Sequence, residues 1–138
     1  MPTRYEDDVY AWSQETARAI AEGRWDEVDL AHVADEISDV GKTEQRALQS
    51  QMERILVHLL KIRFQPGRHT RSWDISIADA RDRIEAILSE NPSLRPTVPA
   101  KLGAVYKLAR NSAALQTGLP LESFPQACPF SADEVFPG

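Results

Sequence analysis

The sequence contains little cysteine and no long apolar run, and each shortage excludes a class of protein. Cys128 is the only cysteine among 138 residues, so no disulfide can form within one chain. The most apolar stretch, residues 55–64, is interrupted by His58, Lys61 and Arg63 and falls far short of the ~20 apolar residues that a membrane span requires. No secretory signal peptide opens the sequence. These absences predict a protein of the reducing cytoplasm that does not cross a membrane.

Signatures of catalysis and of cofactor binding are also missing. The chain has no glycine-rich phosphate loop, no His-Glu-x-x-His motif and no repeated Glu-x-x-His pattern. His32 and Glu36 lie one helical turn apart, as two metal ligands on one helix would, but they fall on the polar side of their predicted helix, where we expect His32 to be solvated. Cys128 stands between Ala127 and Pro129 without a histidine partner motif. We therefore expect no cofactor and no metal site.

What the sequence does contain is apolar residues at helical spacing in five segments. Their stripes predict helices near residues 6–22, 29–40, 43–65, 72–90 and 97–116. No window alternates apolar and polar residues for long enough to predict a strand. Because the links between the predicted helices are short, neighbouring helices should be antiparallel. The expected fold is all-α, with residues 1–138 forming a single domain that is an antiparallel bundle of about five helices.

Glycine and proline mark the ends of the predicted helices. Gly41 is placed to end the second helix, whose apolar stripe includes Leu30 and Ile37, and Gly118 is placed to end the fifth. The tail, residues 119–138, carries four of the nine prolines and should wrap over the bundle as irregular chain. Residues 131–134 in this tail match a capping box, which predicts one short final turn.

The charge changes sign along the sequence. The net charge is -5, which argues against a dedicated nucleic-acid binder because phosphate contacts require clustered Lys and Arg. Residues 1–40 hold 11 acids and 3 bases, whereas residues 41–73 hold 7 bases and 2 acids. Opposite charges in the two segments could match within one chain or between chains.

Several short pieces, taken in order, point to one family nearly end to end. They are Tyr5 to Trp12, Asp35 to Ile37 with Val40-Gly41, Leu56 to Lys61, Arg71 to Trp73, Asn91 to Leu94, Thr117 to Pro120, Phe124-Pro125 and Cys128-Pro129. In this order the sequence resembles the bacterial all-helical family known as domain of unknown function number twenty-nine, with Asp35 and Val40 where that family has Glu and Leu. The resemblance implies a helical fold and a bacterial origin, and it brings no activity, substrate or catalytic residue.

A polar edge runs along the third predicted helix, away from its leucine face. His58 and Lys61 follow Arg54 at positions i+4 and i+7, and Glu36 on the second predicted helix is a candidate partner. One interpretation is a structural network of ion pairs and hydrogen bonds that fixes the helix register. The other is a polar pocket of Glu36, His58 and Lys61, whose shifted pKa values would suit a small enzyme or metal protein.

The segment 61–73 is the one basic cluster in the sequence with aromatic residues interleaved. Four of its bases are candidates for binding an anion beside the start of the fourth predicted helix: Arg63, Arg68, His69 and Arg71. The alternative is that these bases pair with the protein's own carboxylates.

The leading hypothesis is a non-enzymatic helical module of the bacterial cytoplasm that acts through protein contacts. Its partner would be a second copy of the chain or an unidentified protein. The missing catalytic motifs and the acidic-to-basic split both favour this interpretation. Anion or nucleic-acid binding by residues 61–73 is the second hypothesis, and a small enzyme or metal protein is the third.

Overall fold

The computed structural model describes residues 2–138, and over this range the protein is all-α. Five α-helices occur there: α1 Val9–Ala21, α2 Leu30–Phe64, α3 Arg71–Glu90, α4 Thr97–Thr117 and α5 Ala132–Val135. Four short 3-10 helices lie in the links: Trp25–Glu27, Pro66–Arg68, Pro92–Leu94 and Leu121–Ser123. No strand is found within the same range. The predicted all-α fold with five helices is confirmed, although the five helices are not all the predicted ones.

The chain forms two compact units. The first extends to Thr43 and the second runs from Glu44 to Gly138. Helix α2 begins in the first unit and ends in the second. An all-α single domain fits this helix content, and the extent of that domain, residues 1–138, stays a prediction. No helix in the described part of the chain is long and apolar enough to cross a membrane.

The predicted break between the second and third helices is wrong. Helix α2 continues for 35 residues and passes through Gly41 without interruption. A glycine ends a helix when its backbone turns left-handed, and Gly41 does not have the positive φ seen at Gly23 and Gly118. The hydroxyl of Thr43 donates to the carbonyl of Asp39, one turn earlier across this glycine. A helical glycine costs only about 1 kcal/mol relative to alanine, which is too little to break a long helix.

The first unit contains α1, the link that follows it and the first part of α2. Asp8 caps α1, because its side chain accepts a hydrogen bond from the backbone N–H of Ala11 at 3.0 Å. Trp12, Thr16 and Ala19 are the buried residues of this helix. They recur every three or four positions, so α1 buries one narrow face.

The core of the second unit is formed by the rest of α2 together with α3 and α4. Its fully or almost fully buried side chains include Leu48, Met52, Ile55, Leu56, Leu60, Ile84, Leu88, Val105 and Tyr106. Most of these occupy the apolar stripes that the sequence predicts. Apolar area removed from water contributes about 25 cal/mol per Å², so this continuous cluster supplies most of the driving force for folding the unit.

The proline-rich tail packs onto the helices of the second unit, as predicted. Phe124, Phe130, Val135 and Phe136 are buried in its core. Side chains of the helices also hold the tail's backbone: the Tyr106 hydroxyl donates to the Pro125 carbonyl at 2.5 Å, and Arg81 Nε donates to the Val135 carbonyl at 3.1 Å. Ser131 caps α5 by accepting from the Glu134 N–H at 3.2 Å, which confirms the predicted final turn.

Candidate functional site

The three residues of the predicted polar pocket are divided between the two compact units. Glu36 lies in the first unit, where its Oε1 accepts a hydrogen bond from the Tyr5 hydroxyl at 2.5 Å. His58 lies 22 residues later on the same helix, in the second unit. Lys61 places its Nζ over the Trp73 ring, 5.7 Å from the ring centroid. The expected pocket assumed that a helix ends at Gly41, where α2 is continuous, and the pocket itself stays a prediction.

His58 is half-buried and held as a neutral imidazole. Its Nδ1 lies 2.7 Å from the Arg54 carbonyl, which can only accept, so Nδ1 carries the proton and Nε2 is left with a lone pair. Burial lowers the pKa of His58 below its ordinary value of 6.5, and the nearby charges of Lys61 and Arg54 lower it further. The ring is therefore uncharged at neutral pH.

A shallow cleft of about 230 Å³ borders His58. It is lined by Ser50, Glu53, Arg54, Val57, His58, Ser112 and Gln116. The Ser112 hydroxyl donates to Glu53 Oε1 at 3.3 Å, so its proton is directed to a carboxylate and not to the histidine. Arg54 Nη1 donates to Asp79 at 2.6 Å. These groups satisfy one another and do not form the nucleophile–base pair that covalent catalysis requires.

The basic segment 61–73 does not converge on a single anion cradle. The Arg63 guanidinium lies 4.5 Å from the centroid of the Phe130 ring, and His69 Nε2 lies 2.7 Å from Asp74 Oδ1. Arg68 and Arg71 are exposed and form no salt bridge with any residue in 2–138. Among the four candidate bases, only His69 contacts a carboxylate in the described chain, and anion binding by the three arginines stays a prediction.

An aromatic cluster around His32 in the first unit is absent from the sequence-based predictions. The Tyr5 ring stacks on the His32 ring with centroids 4.2 Å apart and meets Trp12 edge-on at 5.0 Å. His32 Nδ1 lies 2.5 Å from Asp29 Oδ2, and this hydrogen bond raises the pKa of His32 and lowers the pKa of Asp29. The expectation that His32 is simply solvated is wrong, because it fixes the N-terminal segment against α2.

A groove of about 590 Å³ also lies in the first unit. Its lining includes Arg4, Arg18 and Arg24 above the buried Trp12. Arg4 pairs with its neighbour Asp7, and Arg24 pairs with Glu22 and Glu27. The charges of Arg4 and Arg24 are thus neutralised by nearby carboxylates, whereas Arg18 forms no salt bridge with any residue in 2–138.

Over residues 2–138, no group of three or more His, Cys, Asp or Glu side chains is placed to hold a metal ion. His32 and Glu36, the pair one turn apart, are instead engaged with Asp29 and Tyr5.

One side of α2 within the first unit is uncharged and uncovered. Successive helical residues rotate by about 100°, so eight residues of this segment share one half of the helix surface. They are Leu30, Ala34, Ile37 and Gly41 on a central line, Ala31 and Ser38 on one flank, and Val33 and Val40 on the other. We call these eight residues the open face. The charged residues of the segment lie on the opposite side, where Tyr5 packs.

The exposure of the open face is unusual for aliphatic side chains. Leu30 is 65% exposed, Ile37 67% and Val40 66%, and Val33 is half-buried. In the second unit, by contrast, the same helix buries Leu48, Met52 and Ile55 completely. Leu30, Ile37 and Val40 therefore form an exposed apolar patch on one side of this helical segment.

Comparison with known proteins identifies the family. A family model described as domain of unknown function DUF29 matches residues 4–137, which is nearly the whole chain. The chain belongs to this family. The DUF29 match covers both compact units, including the open face and the tail, and confirms the resemblance seen in the sequence. No curated protein and no solved structure matches the chain. The DUF29 description records no function, so a functional proposal has to be based on the structural features of the chain.

Proposed function

We propose that this DUF29 protein is a helical module that associates with a second copy of itself through the open face of α2. The observation that carries the proposal is the exposure of Leu30, Ile37 and Val40 on one uncharged side of the helix. Each is about two-thirds exposed, and covering apolar surface gains about 25 cal/mol per Å². Removing these side chains from water is the force that would drive association.

The absence of charge on the open face restricts what can cover it. A partner surface with a Lys or Glu at the contact would bury an unpaired charge, at a high cost in free energy. The partner surface must therefore be uncharged over about three helical turns. The open face meets this requirement itself, and a symmetric dimer uses the same patch on both copies.

The expected association is weak. The segment Leu30 to Gly41 is about 18 Å long at 1.5 Å per residue, so two such faces bury less than the ~1,200 Å² of a standard stable interface. Interfaces below that size belong to transient complexes. We therefore expect a dimer that dissociates in the micromolar range and responds to protein concentration.

The proposed setting is the bacterial cytoplasm. The single cysteine, half-buried Cys128, fits a reducing compartment, and burial raises the pKa of its thiol, which keeps it unreactive. The resemblance to a bacterial family supports the origin. In this compartment the protein would act by contact and without catalysis.

Analytical ultracentrifugation tests the proposal. The native protein should shift from monomer to dimer between about 1 µM and about 1 mM, where association free energies run from about -8 to about -4 kcal/mol. Ile37→Glu should remain monomeric, because it places two charges in the interface. Ile75→Glu is the matched control, since Ile75 is also exposed (57%) but lies on α3, and it should dimerise normally. A native protein that stays monomeric throughout refutes the proposal.

A second candidate function is anion binding by Arg68 and Arg71. Both are exposed and lack a salt bridge within the described chain, and they flank the start of α3. Calorimetric titration with inorganic phosphate at low salt should detect binding that weakens as salt is added. Loss of phosphate binding in the double variant Arg68→Ala/Arg71→Ala would support this second function. Absence of phosphate binding to the native protein at low salt would refute it.

A further inference from the structure

Resting on the self-association proposed above, we infer that the two copies of α2 pair antiparallel, so that each large residue of one open face meets a small residue of the other. The central line of the open face alternates in size: Leu30, Ala34, Ile37 and Gly41.

The alternation is complementary to itself when the second helix is reversed. With a two-fold axis crossing the helix midway between positions 35 and 36, Leu30 faces Gly41 of the second copy. At the same register, Ala34 faces Ile37 of the second copy. Every contact on the central line then joins a large side chain to a small one, which is how well-packed helix interfaces fill space.

The flanks agree with the same arrangement. In an antiparallel helix pair, each flank of one helix faces the same flank of the other. Val33 then lies near Val40 of the second copy, which covers the remaining large aliphatic groups. On the other side Ala31 lies near Ser38 of the second copy, and their small size lets the helices approach closely. No charged residue occupies either flank.

The inference also gives Gly41 a role that the single chain does not. Gly41 lies inside α2 with no positive φ, and a Cβ built there would have no neighbour within 4 Å among the described residues. Glycine in a helix interior destabilises it, so the monomer alone has no use for this residue. In the antiparallel pair Gly41 leaves room for Leu30 of the second copy.

A parallel pair would fit badly. It would set Leu30 against Leu30 and Gly41 against Gly41, so the pair would be overpacked at one end and empty at the other. Voids in an apolar interface lose contacts outright, and overpacking forces side chains out of favourable rotamers. Antiparallel helices also set opposite ends of their dipoles side by side, whereas parallel helices place like ends together.

Disulfide cross-linking between two variants tests the arrangement. Both carry Cys128→Ser, so that introduced cysteines are the only thiols, and they add Leu30→Cys or Gly41→Cys. In the antiparallel pair, equal positions are about 16 Å apart along the axis, beyond the ~7 Å Cα limit of a disulfide. Oxidation should therefore cross-link the mixture of the two variants at least tenfold more than either variant alone. A tag on one variant identifies the mixed product by mass.

The outcomes separate this inference from the proposed function. If the Cys128→Ser parent is monomeric in the ultracentrifuge at every concentration, self-association itself fails. If the parent dimerises but each variant cross-links with itself, the pair is parallel and the antiparallel inference is overturned. If the parent dimerises and neither the mixture nor the single variants cross-link, another surface forms the dimer and the inference is equally overturned.

A glycine comparison gives a second measurement that does not depend on oxidation. Gly41→Leu should raise the dimer dissociation constant at least tenfold, because the new side chain meets Leu30 of the second copy. Gly103→Leu is the matched control, since Gly103 is also an exposed helical glycine with no neighbour within 4 Å in the described structure, but it lies on α4. Equal dissociation constants for the two variants would contradict the inference.

Discussion

Replacing Gly41 with alanine should stabilise the protein, because α2 is continuous there. Gly41 has no positive φ, and an added Cβ meets nothing within 4 Å in the part of the chain that the structure describes. Alanine is favoured over glycine inside a helix by about 0.8–1.0 kcal/mol. For a chain of this length that gain corresponds to a rise of about 2–4 °C in the melting temperature.

The assay is urea unfolding followed by circular dichroism, with two control variants. Gly103→Ala should give a similar gain, because Gly103 is also helical and open. Gly118→Ala should lower stability by about 1–2 kcal/mol, since Gly118 has a φ of +74° in the left-handed region. The midpoint should move without a change in slope if stability alone has changed.

The result that would refute this reasoning is a loss of stability in Gly41→Ala with a gain in Gly103→Ala, both measured at a protein concentration at which the native protein is monomeric. That pair of outcomes would mean that the backbone at Gly41 is not helical in solution. It would restore the break near residue 41 that the sequence pattern predicts, and with it the possibility that residues 29–40 and 43–65 form separate helices.

Three further perturbations follow from the structure. Tyr106→Phe should cost about 1 kcal/mol in urea unfolding, because it removes the hydrogen bond to the Pro125 carbonyl and leaves that acceptor unpaired. In an NMR titration His32 should titrate above 6.5 and His58 below it, and Asp29→Asn should bring the pKa of His32 back toward 6.5. His32 therefore stabilises the folded state below pH 6.5, and this stabilisation is lost as the pH rises through the folded pKa of His32. The neutral His58 stabilises the folded state above pH 6.5, and this stabilisation is lost as the pH falls through the folded pKa of His58. The melting temperature of the native protein should rise with protein concentration, and that of Ile37→Glu should not. At a protein concentration ten times the dissociation constant of the dimer, association adds about 1.4 kcal/mol to the free energy of unfolding.

The sequence predicts those helices whose stripes are unambiguous. Helices α3 and α4 begin and end within a residue or two of their predicted bounds, because proline and glycine stand at their ends. The short turn of α5 is recognisable from Ser131 and Glu134, since a capping box is a local pattern that needs no tertiary contact. The bounds of α3 and α4 and the presence of α5 are therefore determined by residues close in sequence.

At Gly41, the local sequence is insufficient to predict whether the helix ends or continues. Glycine is common both at helix ends and, at a cost of about 1 kcal/mol, inside helices, so the residue alone cannot distinguish the two. The predicted pocket of Glu36, His58 and Lys61 depended on that one choice. In the continuous α2, Glu36 and His58 are 22 positions apart on one helix.

The aromatic cluster of the first unit depends on a contact between distant parts of the sequence. Tyr5 and His32 are 27 positions apart, and no periodic pattern links a residue before α1 to one in α2. The sequence does contain part of the evidence for this cluster. Asp29 stands three residues before His32 at the start of α2, where the Asp29 carboxylate can reach the His32 ring. That spacing indicates the ion pair but does not reveal that Tyr5 stacks on it.

The open face shows what an apolar pattern does and does not specify. Leu30, Val33 and Ile37 form a helical stripe, and periodicity assigns such a stripe to a buried side. The structure keeps the helix and leaves this stripe uncovered, with Leu30 and Ile37 about two-thirds exposed. Periodicity therefore identifies the side of a helix that avoids water, and it does not say whether the cover comes from the same chain. Here the alternation of large and small residues along the stripe matches its own reverse, which supports the proposal that a second copy supplies the cover.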